Sequence, residues 1–558
     1  MYILGISCFM SDAAAALIKD GEIIAACEEE RFTRKKHDGD FPKNAIDFCL
    51  NEAGITYKDL DYVGYYFKPW YNFYKRIFRV IQYLPASLKI GLMQGNKWLK
   101  ILKIKDYIKE YFGLKNDKFP FKFIFVEHHL AHAASSFFVS PFKEAAILTM
   151  DESGEHTSIM FSHGVNNRIN KIRSIGHPHS VGEVYKSVTS YLGFPHVGDE
   201  GKVMGLASYG KAEIPLEKIV AKMDKGDFHL HMRYFDYYTG VSKQFIKEFG
   251  QARIPDSNIE KKHQDMAFAL QKLTEKIGLK FADYLYNITG SENICLAGGV
   301  ALNCVMNGRI LSESKFKNVF VQPAACDAGG AIGAAFSIYN NILGHERKYI
   351  MQNSLLGKSY TEKEIKDFLD RKGIKYEYRN DMTKFVARLI ASGKIVGWFS
   401  GKMEFGPRAL GGRSILADPR RAEMKDILNK RVKHRESFRP FAPSVLKEDA
   451  KLYFENASNS PFMLLTFPVK KEMRDVIPAI THVDGSARVQ TVDKKALPRY
   501  WELINNFKKI TGIGVILNTS FNIRGEPIVC SLEDAYNCYI NTGIDYLVLE
   551  NFILTKNA

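Results

Sequence analysis

The run FKFIFVEHHLAHAASSFF, Phe121 to Phe138, sets an apolar strand pattern directly before an amphipathic helical one. That change of hydrophobic period, from two to about 3.6, recurs along the chain and decides its class. AAILTMD at 145–151, NICLAGG at 293–299 and VFVQPA at 319–324 are further short apolar strands lying between helical stretches. Alternating strands and helices imply a mixed α/β architecture. Residues 1–30 read as strand and turn, YILGIS, AAAALIKDG and EIIAACEEE, with Asp20-Gly21 as a hairpin signal. After Ile350 a second region begins, with a helix over Thr361–Arg371 and strands in GKIVGWFS and GIGVILNTS. The boundary is placed between about 345 and 365. No tandem repeat is visible.

At 558 residues and 46% hydrophobic, the chain can bury large cores and favours two or more domains. The first apolar run lacks a basic start, and no stretch reaches the roughly eighteen apolar residues of a spanning helix. A soluble cytoplasmic protein is expected. The eight cysteines are scattered and none forms a CxxC pair, which fits a reducing compartment and argues against a thiolate zinc site.

The net charge of +16 is concentrated in two stretches. Lys402 to Pro443 holds eleven Lys or Arg against five Asp or Glu, interleaved with Gly and Pro. Arg408 follows Gly-Pro and Arg439 precedes Pro, so these guanidinium groups leave fixed backbone. A phosphate-bearing substrate held by Arg408, Arg413, Lys433 and Arg439 is one reading, and a basic surface with incidental Gly and Pro is the other. Trp70 to Lys122 holds twelve basic residues against three acidic ones, interleaved with ten aromatic residues from Trp70 to Phe112. It could grip RNA, an anionic membrane surface or an anionic acceptor. The bland reading, a helical excursion with aromatics in the core and lysines in solvent, is favoured.

His128 and His132 in HHLAH lie four apart, on one face if helical, a spacing that presents two imidazoles to one ion. Asp151 ends one apolar strand and Asp327 follows another. Two imidazoles with two carboxylates favour Fe²⁺, Mn²⁺ or Zn²⁺. Two Gly-rich turns follow strands, LAGGVALN with Gly298, Gly299 and Asn303, and CDAGGAIGAA with Gly329. Such turns can cradle phosphates, or simply serve tight packing. Glu28 to His37, EEERFTRKKH, reads as an exposed, salt-paired turn, and EGKVMGLASYG from Glu200 as a functional loop. LNTSFNIRGEP places Asn518, Ser520 and Asn522 just after a strand, where their side chains could meet phosphate or carbamoyl groups.

Taken in order, EEERFTRKKH, HHLAHAASSF, EGKVMGLASYG, AGGVALNCVMN, QPAACDAGGAIGAA, MEFGPRALGGRSILADPR, VKHRESFRPFAPS and NTSFNIRGEPIV strongly resemble the O-carbamoyltransferases of antibiotic and nodulation-factor biosynthesis. The resemblance runs over nearly the whole chain. It implies an actin-like N-terminal domain over 1–350, with the basic aromatic segment as an insertion at about 70–122, and a YrdC-like domain over 360–558. It further implies that the second domain makes carbamoyladenylate and pyrophosphate from carbamoyl phosphate and ATP, supplied with Mg²⁺. The first domain then transfers the carbamoyl group to the hydroxyl of a small-molecule acceptor, a sugar or other secondary metabolite. The metal ligands fall on His128, His132, Asp151 and Asp327, with Fe²⁺ expected. Substrate and nucleotide contacts fall on Arg408, Lys433, Arg439, Arg488, Asn518 and Ser520, with Gly298, Gly299, Asn303 and Gly329 in the first domain. Catalytic roles fall on Asp12, Lys36, His128, Arg408, Lys433 and Arg439.

The chain departs from the family pattern at Ser11, where His usually precedes Asp12, at Glu152, Cys326, Gly412 and Phe438. An enzyme of tRNA threonylcarbamoylation and a non-catalytic nucleotide-binding scaffold are the alternatives. Nucleic acid is the disfavoured partner, and a homodimer is open to it.

Overall fold

The hairpin signal at Asp20-Gly21 lies between strands β2 (Ala14–Lys19) and β3 (Glu22–Glu28), which pair antiparallel. Asp20 and Gly21 take φ of 50° and 88°, the primed type of turn whose twist matches that of its strands. Strand β1 (Tyr2–Ser7) pairs antiparallel with β2, and β4 (Tyr62–Tyr65) and β5 (Lys122–Phe125) continue on its other side in parallel. The resulting order is β3-β2-β1-β4-β5. In this computed structural model residues 1–84, 95–114, 118–236 and 239–556 are described.

A second sheet repeats that plan. Strands β6 (Glu144–Met150), β7 (Thr157–Val165) and β8 (Arg168–Gly176) form an antiparallel meander. Strands β9 (Asn293–Ala297) and β10 (Asn318–Val321) add in parallel beside β6, giving β10-β9-β6-β7-β8. Three antiparallel strands followed by two parallel ones, twice over, is the duplicated sheet of the actin-like fold. The duplication lies in strand pairing, which is why no repeat is visible in the residues themselves.

Helices α1 (Phe73–Gln82), α2 (His128–Phe137), α3 (Glu200–Ala207), α4 (Lys261–Thr289), α5 (Cys304–Glu313) and α6 (Gly329–Phe336) belong to this half. Helix α3 corrects the loop reading of EGKVMGLASYG: it packs on α4 and buries Val203 and Leu206. Helix α6 packs on both α2 and β1. A Cβ on Gly333 would lie 1.7 Å from the Ala131 carbonyl oxygen of α2, and one on Gly5 1.9 Å from the Ala331 oxygen of α6. Backbone therefore meets backbone at both contacts.

The chain divides into two units, Met1–Glu29 with His37–Met351, and Glu30–Lys36 with Gln352–Ala558. The second unit is built on a sheet of eight strands. In chain order they are β11 (Glu377–Tyr378), β12 (Val396–Phe399), β13 (Arg413–Ala417), β14 (Ala442–Leu446), β15 (Gln490–Val492), β16 (Val515–Ser520), β17 (Tyr546–Leu549) and β18 (Phe552–Thr555). Their order across the sheet is β11-β18-β17-β12-β13-β16-β14-β15. Helix α7 (Glu362–Arg371) starts at a capping box in which Thr361 and Glu364 exchange bonds. Helices α8 (Met382–Ala391) and α9 (Pro498–Thr511) pack Val386, Ile390, Leu503 and Phe507 with the wholly buried Trp398 of β12.

The seven residues Glu30–Lys36 are integral to this second unit, which a division at 345–365 does not anticipate. EEERFTRKKH is thus no exposed turn. Arg31 is buried and donates to the Gly406 oxygen at 2.8 Å. Arg34 donates to the oxygens of Ile528 (2.7 Å) and Pro527 (2.8 Å) and pairs with Asp534, while Phe32 packs on Met403, Ile528 and Cys530. None of the eight cysteines is in a disulfide, and seven of them are buried.

Since α6 has no room at Gly333, Gly333→Ala is expected to lower the unfolding free energy by about 2–3 kcal/mol in urea titration. Gly201→Ala, on α3 with nothing within 4 Å of the added methyl, is the control and should be neutral or slightly stabilising.

Candidate functional site

Helix α2 begins directly after β5, so His128 and His132 face the same way one turn apart, and both are wholly buried. Asp151 leaves the end of β6, and Asp327 lies two residues before α6. The four side chains converge, each offering a ligand atom within 4.8 Å of the others. His128 Nε2 lies 3.1 Å from Asp151 Oδ2 and 3.6 Å from Asp327 Oδ1; for His132 Nε2 these distances are 2.9 and 3.7 Å. The two Nε2 atoms are 3.1 Å apart.

That geometry asks for positive charge at its centre. Burial opposes charging His132, yet hydrogen bonds and charge from Asp151 and Asp327 prevail and hold its pKa up at about 9. Burial would raise Asp151, but His128 and His132 outweigh it and hold the carboxyl well below its usual range. Two imidazole nitrogens and two carboxylate oxygens aimed at one point fit a divalent ion of the iron, manganese or zinc type. His129, between them in sequence, does other work: its ring bridges Thr149 Oγ1 (2.7 Å) and the Thr157 oxygen (3.0 Å) as a buried core residue.

Three residues that sequence reasoning left without a role surround these four. Glu155 is buried and accepts from the backbone N–H of His128 (3.0 Å) and of Lys68 (2.6 Å), so it seats the start of α2. Tyr66 reaches Asp327 Oδ2 at 3.4 Å. Ser11, standing where the family pattern has His, donates its hydroxyl (2.6 Å) and its N–H (3.1 Å) to that same oxygen. Only the departure from the family pattern drew attention to Ser11. Asp12 beside it accepts from or shares a proton with His37 Nδ1 at 2.8 Å.

The Gly-rich turns serve packing first. Gly298, at φ 87°, leaves space for the Met150 backbone, where a Cβ would lie 2.2 Å from the carbonyl oxygen. Gly299 donates its N–H to Asp151 Oδ1 at 3.3 Å. Asn303 caps α5 by accepting from Met306 N and exchanges amide bonds with Gln271. A Cβ on Gly329 would lie 2.1 Å from the Ala324 oxygen.

In the second unit the basic stretch resolves into two populations. Arg413 corrects the first reading. It is wholly buried, donates to the oxygens of Gly401 (3.0 Å), Gly412 (3.0 Å) and Lys358 (2.8 Å), and lies 3.5 Å over the Phe399 ring. It holds backbone together and does not reach for phosphate. Glu404, also wholly buried, accepts from the N–H groups of Leu410 (2.7 Å), Gly412 (2.7 Å) and Arg413 (3.2 Å), and so fixes the loop that presents Arg408.

The other population is a group of mutually repelling cations. Burial, then the charges of Arg435, Arg439 and Lys36, hold the Lys433 ammonium well below its usual pKa. Its Nζ donates to the oxygens of Ser520 and Asn522 and to Asn522 Oδ1. Arg435 is likewise depressed by burial and by Arg439 and Arg488. Lys36 thus belongs with these cations, brought by the segment Glu30–Lys36. Asn518 is buried and donates to Ala409 O (3.1 Å) and Ser444 Oγ (3.0 Å), and Ser520 donates to Asn522 Oδ1 (2.7 Å). Arg435 was missed in the sequence, although it lies between Lys433 and Arg439.

Comparison with known proteins bears on both halves. Residues 2–336 match the family described as Carbamoyltransferase N-terminus and residues 387–556 the one described as Carbamoyltransferase C-terminus. An uncharacterized protein of Synechocystis sp., sll1178, is 45% identical over 100% of this chain and 97% of its own length. Nodulation protein NolNO of Sinorhizobium fredii is 37% identical over 99% of this chain and 80% of its own, and Nodulation protein U of Rhizobium fredii 27% over 92% and 88%. With both halves matched, the chain belongs to the carbamoyltransferase family and is a transferase enzyme.

Proposed function

We propose that this enzyme is an ATP-dependent O-carbamoyltransferase working in two steps. In the second unit, read as YrdC-like, carbamoyl phosphate and ATP give carbamoyladenylate and pyrophosphate, with water taken up and phosphate released. In the first unit the carbamoyl group passes from the adenylate to a hydroxyl of a small-molecule acceptor, a sugar or another secondary metabolite, with the bond to AMP broken and AMP and the hydroxyl proton released. The observation that carries this reading is the buried convergence of His128, His132, Asp151 and Asp327.

For the first step, Arg408, Lys433, Arg439 and Arg488, with Lys36 and Arg435, bind the two polyanions. Their mutual repulsion in the free protein is relieved when phosphate groups arrive, so binding energy is gained where charge must be brought together. Glu404 keeps Arg408 in place. For the second step, His128, His132, Asp151 and Asp327 would hold Fe²⁺, or Mn²⁺ or Zn²⁺ in its place. Such an ion supplies Lewis-acid polarisation of the carbamoyl carbonyl or the leaving group. Ser11 and Tyr66 orient Asp327, Glu155 seats His128, and Asp12 with His37 forms a hydrogen-bonded pair next to Ser11.

Pyrophosphate release from ATP should depend on carbamoyl phosphate and need no acceptor; its absence would sink this reading. Arg439→Ala is expected to lower that release by about a hundredfold or more. His132→Ala should leave it within about twofold of wild type and abolish transfer only, measured by acceptor mass gain. Equal loss of release in both variants would refute the division of labour. Elemental analysis of anaerobically purified protein should find about one transition-metal ion per chain, falling roughly tenfold or more in Asp327→Asn.

A further inference from the structure

Helix α1 leaves its apolar arc exposed. On a helix Phe73, Tyr74, Ile77, Phe78 and Ile81 share one arc, and a surface helix would bury that arc. Here these side chains are 43%, 68%, 47%, 68% and 61% exposed. Arg76 alone of its described polar side chains turns to the protein, its guanidinium 3.3 Å over the Trp98 ring, which packs edge-on against the buried Phe67, while Lys75 and Gln82 are exposed. Trp70 (64%), Leu84 (49%), Leu99 (55%) and Leu102 (42%) are exposed as well. The favoured reading of this segment, with its aromatics in the core, is therefore overturned for α1, while residues 85–94 and 115–117 of the segment lie outside the described residues.

A contiguous apolar face of this kind marks a surface that something covers. Charge selects what. Residues 62–105 hold nine Lys or Arg and no Asp or Glu. A second copy of this chain would bring the same basic stretch against it, a like-charge juxtaposition that works against self-association through this face. A nucleic acid would use the positive charge and the rings, but Ile77, Ile81, Leu84, Leu99 and Leu102 offer bases no stacking surface. Aliphatic and aromatic side chains interleaved with lysines suit the boundary between lipid headgroups and acyl chains. Among the described residues no helix is long and apolar enough to cross a membrane, so the contact would be one of lying on the surface.

We propose that α1, with Trp70, Leu84, Leu99 and Leu102, docks the first unit on an anionic lipid bilayer. Phe78 and Ile81 enter the acyl boundary, and Lys75 and Lys103 meet the headgroups. The quartet is close by, since Phe67 packs edge-on against both Trp98 and His128, with its ring 5.9 Å from that of His128.

The test is co-sedimentation of the full chain with vesicles of phosphatidylcholine alone and of phosphatidylcholine with about 30% phosphatidylglycerol. Wild type should pellet with the anionic vesicles only, and less so as salt rises to about 0.5 M. Phe78→Asp with Ile81→Asp should reduce partitioning by about tenfold or more while circular dichroism and thermal unfolding stay unchanged. Should that variant fold poorly, Lys75→Glu, an exposed change of charge alone, should still lower partitioning by about tenfold. Failure of the wild type to pellet with anionic vesicles overturns the proposal. So does equal pelleting of both variants, or a dimer of the wild type in light scattering that Phe78→Asp with Ile81→Asp abolishes.

Discussion

Two carboxylates and two imidazoles buried around one point define the first unit, because charge so far from water must be answered within a few ångströms. The four come from three places in the duplicated fold. Two come from one turn of α2, one from the end of β6 and one from just before α6. Their distances are therefore only as fixed as the packing of α6 on α2 and β1. That packing is of backbone on backbone, set by Gly333 and Gly5, and it leaves little latitude. Ser11 and Tyr66 then fix the Asp327 carboxylate, Gly299 that of Asp151, and Glu155 the start of α2 at His128. The actin-like architecture serves here as a frame that brings a strand end, a helix face and the approach to a second helix together.

The second unit poses the opposite electrostatic problem. Lys433 and Arg435 are held below their usual pKa values by burial and by neighbouring cations, a repulsion that Glu436, 3.8 Å from Arg439, offsets only in part. The first unit buries negative charge, which His132, its pKa held up at about 9 by Asp151 and Asp327, answers. Such preorganisation is unfavourable in the free protein, and under the two-step function proposed above it is the bound ligands that would offset it. Not every arginine of the stretch takes part. Arg413 spends its donors on carbonyl oxygens and stacks on Phe399, as a brace for the neighbouring loop.

Sequence made some of this legible. The four-residue spacing in HHLAH becomes a shared helix face with no tertiary information, and Asp151 at the end of an apolar strand is a position that projects inward. The Asp20-Gly21 turn and the Thr361 cap are equally local. What stayed hidden depends on distant partners. Arg413 and Arg408 look alike in sequence, and only the surrounding carbonyls separate them. EGKVMGLASYG looks like a loop because Gly201 and Gly205 have low helix propensity, which the packing of α3 on α4 overrides. The exposed face of α1 could not be told from a core face, since periodicity says which residues share a side and not which way that side points. The sheet duplication is a matter of pairing order, and residues such as YILGIS in β1 and EAAILTM in β6 do not betray it.

The seven residues Glu30–Lys36 have a temporal side. Arg31 bonds to Gly406, 375 residues later, and Arg34 to Ile528, 494 residues later. During synthesis at about 5–20 residues per second, the stretch emerges on the order of tens of seconds to a minute or more before its partners exist. The first unit must therefore fold around an unfilled excursion, and Phe32 waits without the Met403, Ile528 and Cys530 contacts that will enclose it. A C-terminal half produced alone from Gln352 onward would lack those seven residues of its own architecture. The order in which the ribosome delivers this chain is thus written into its wiring: loops and a helix between Met403 and Asp534 finish a job that its first thirty-six residues began.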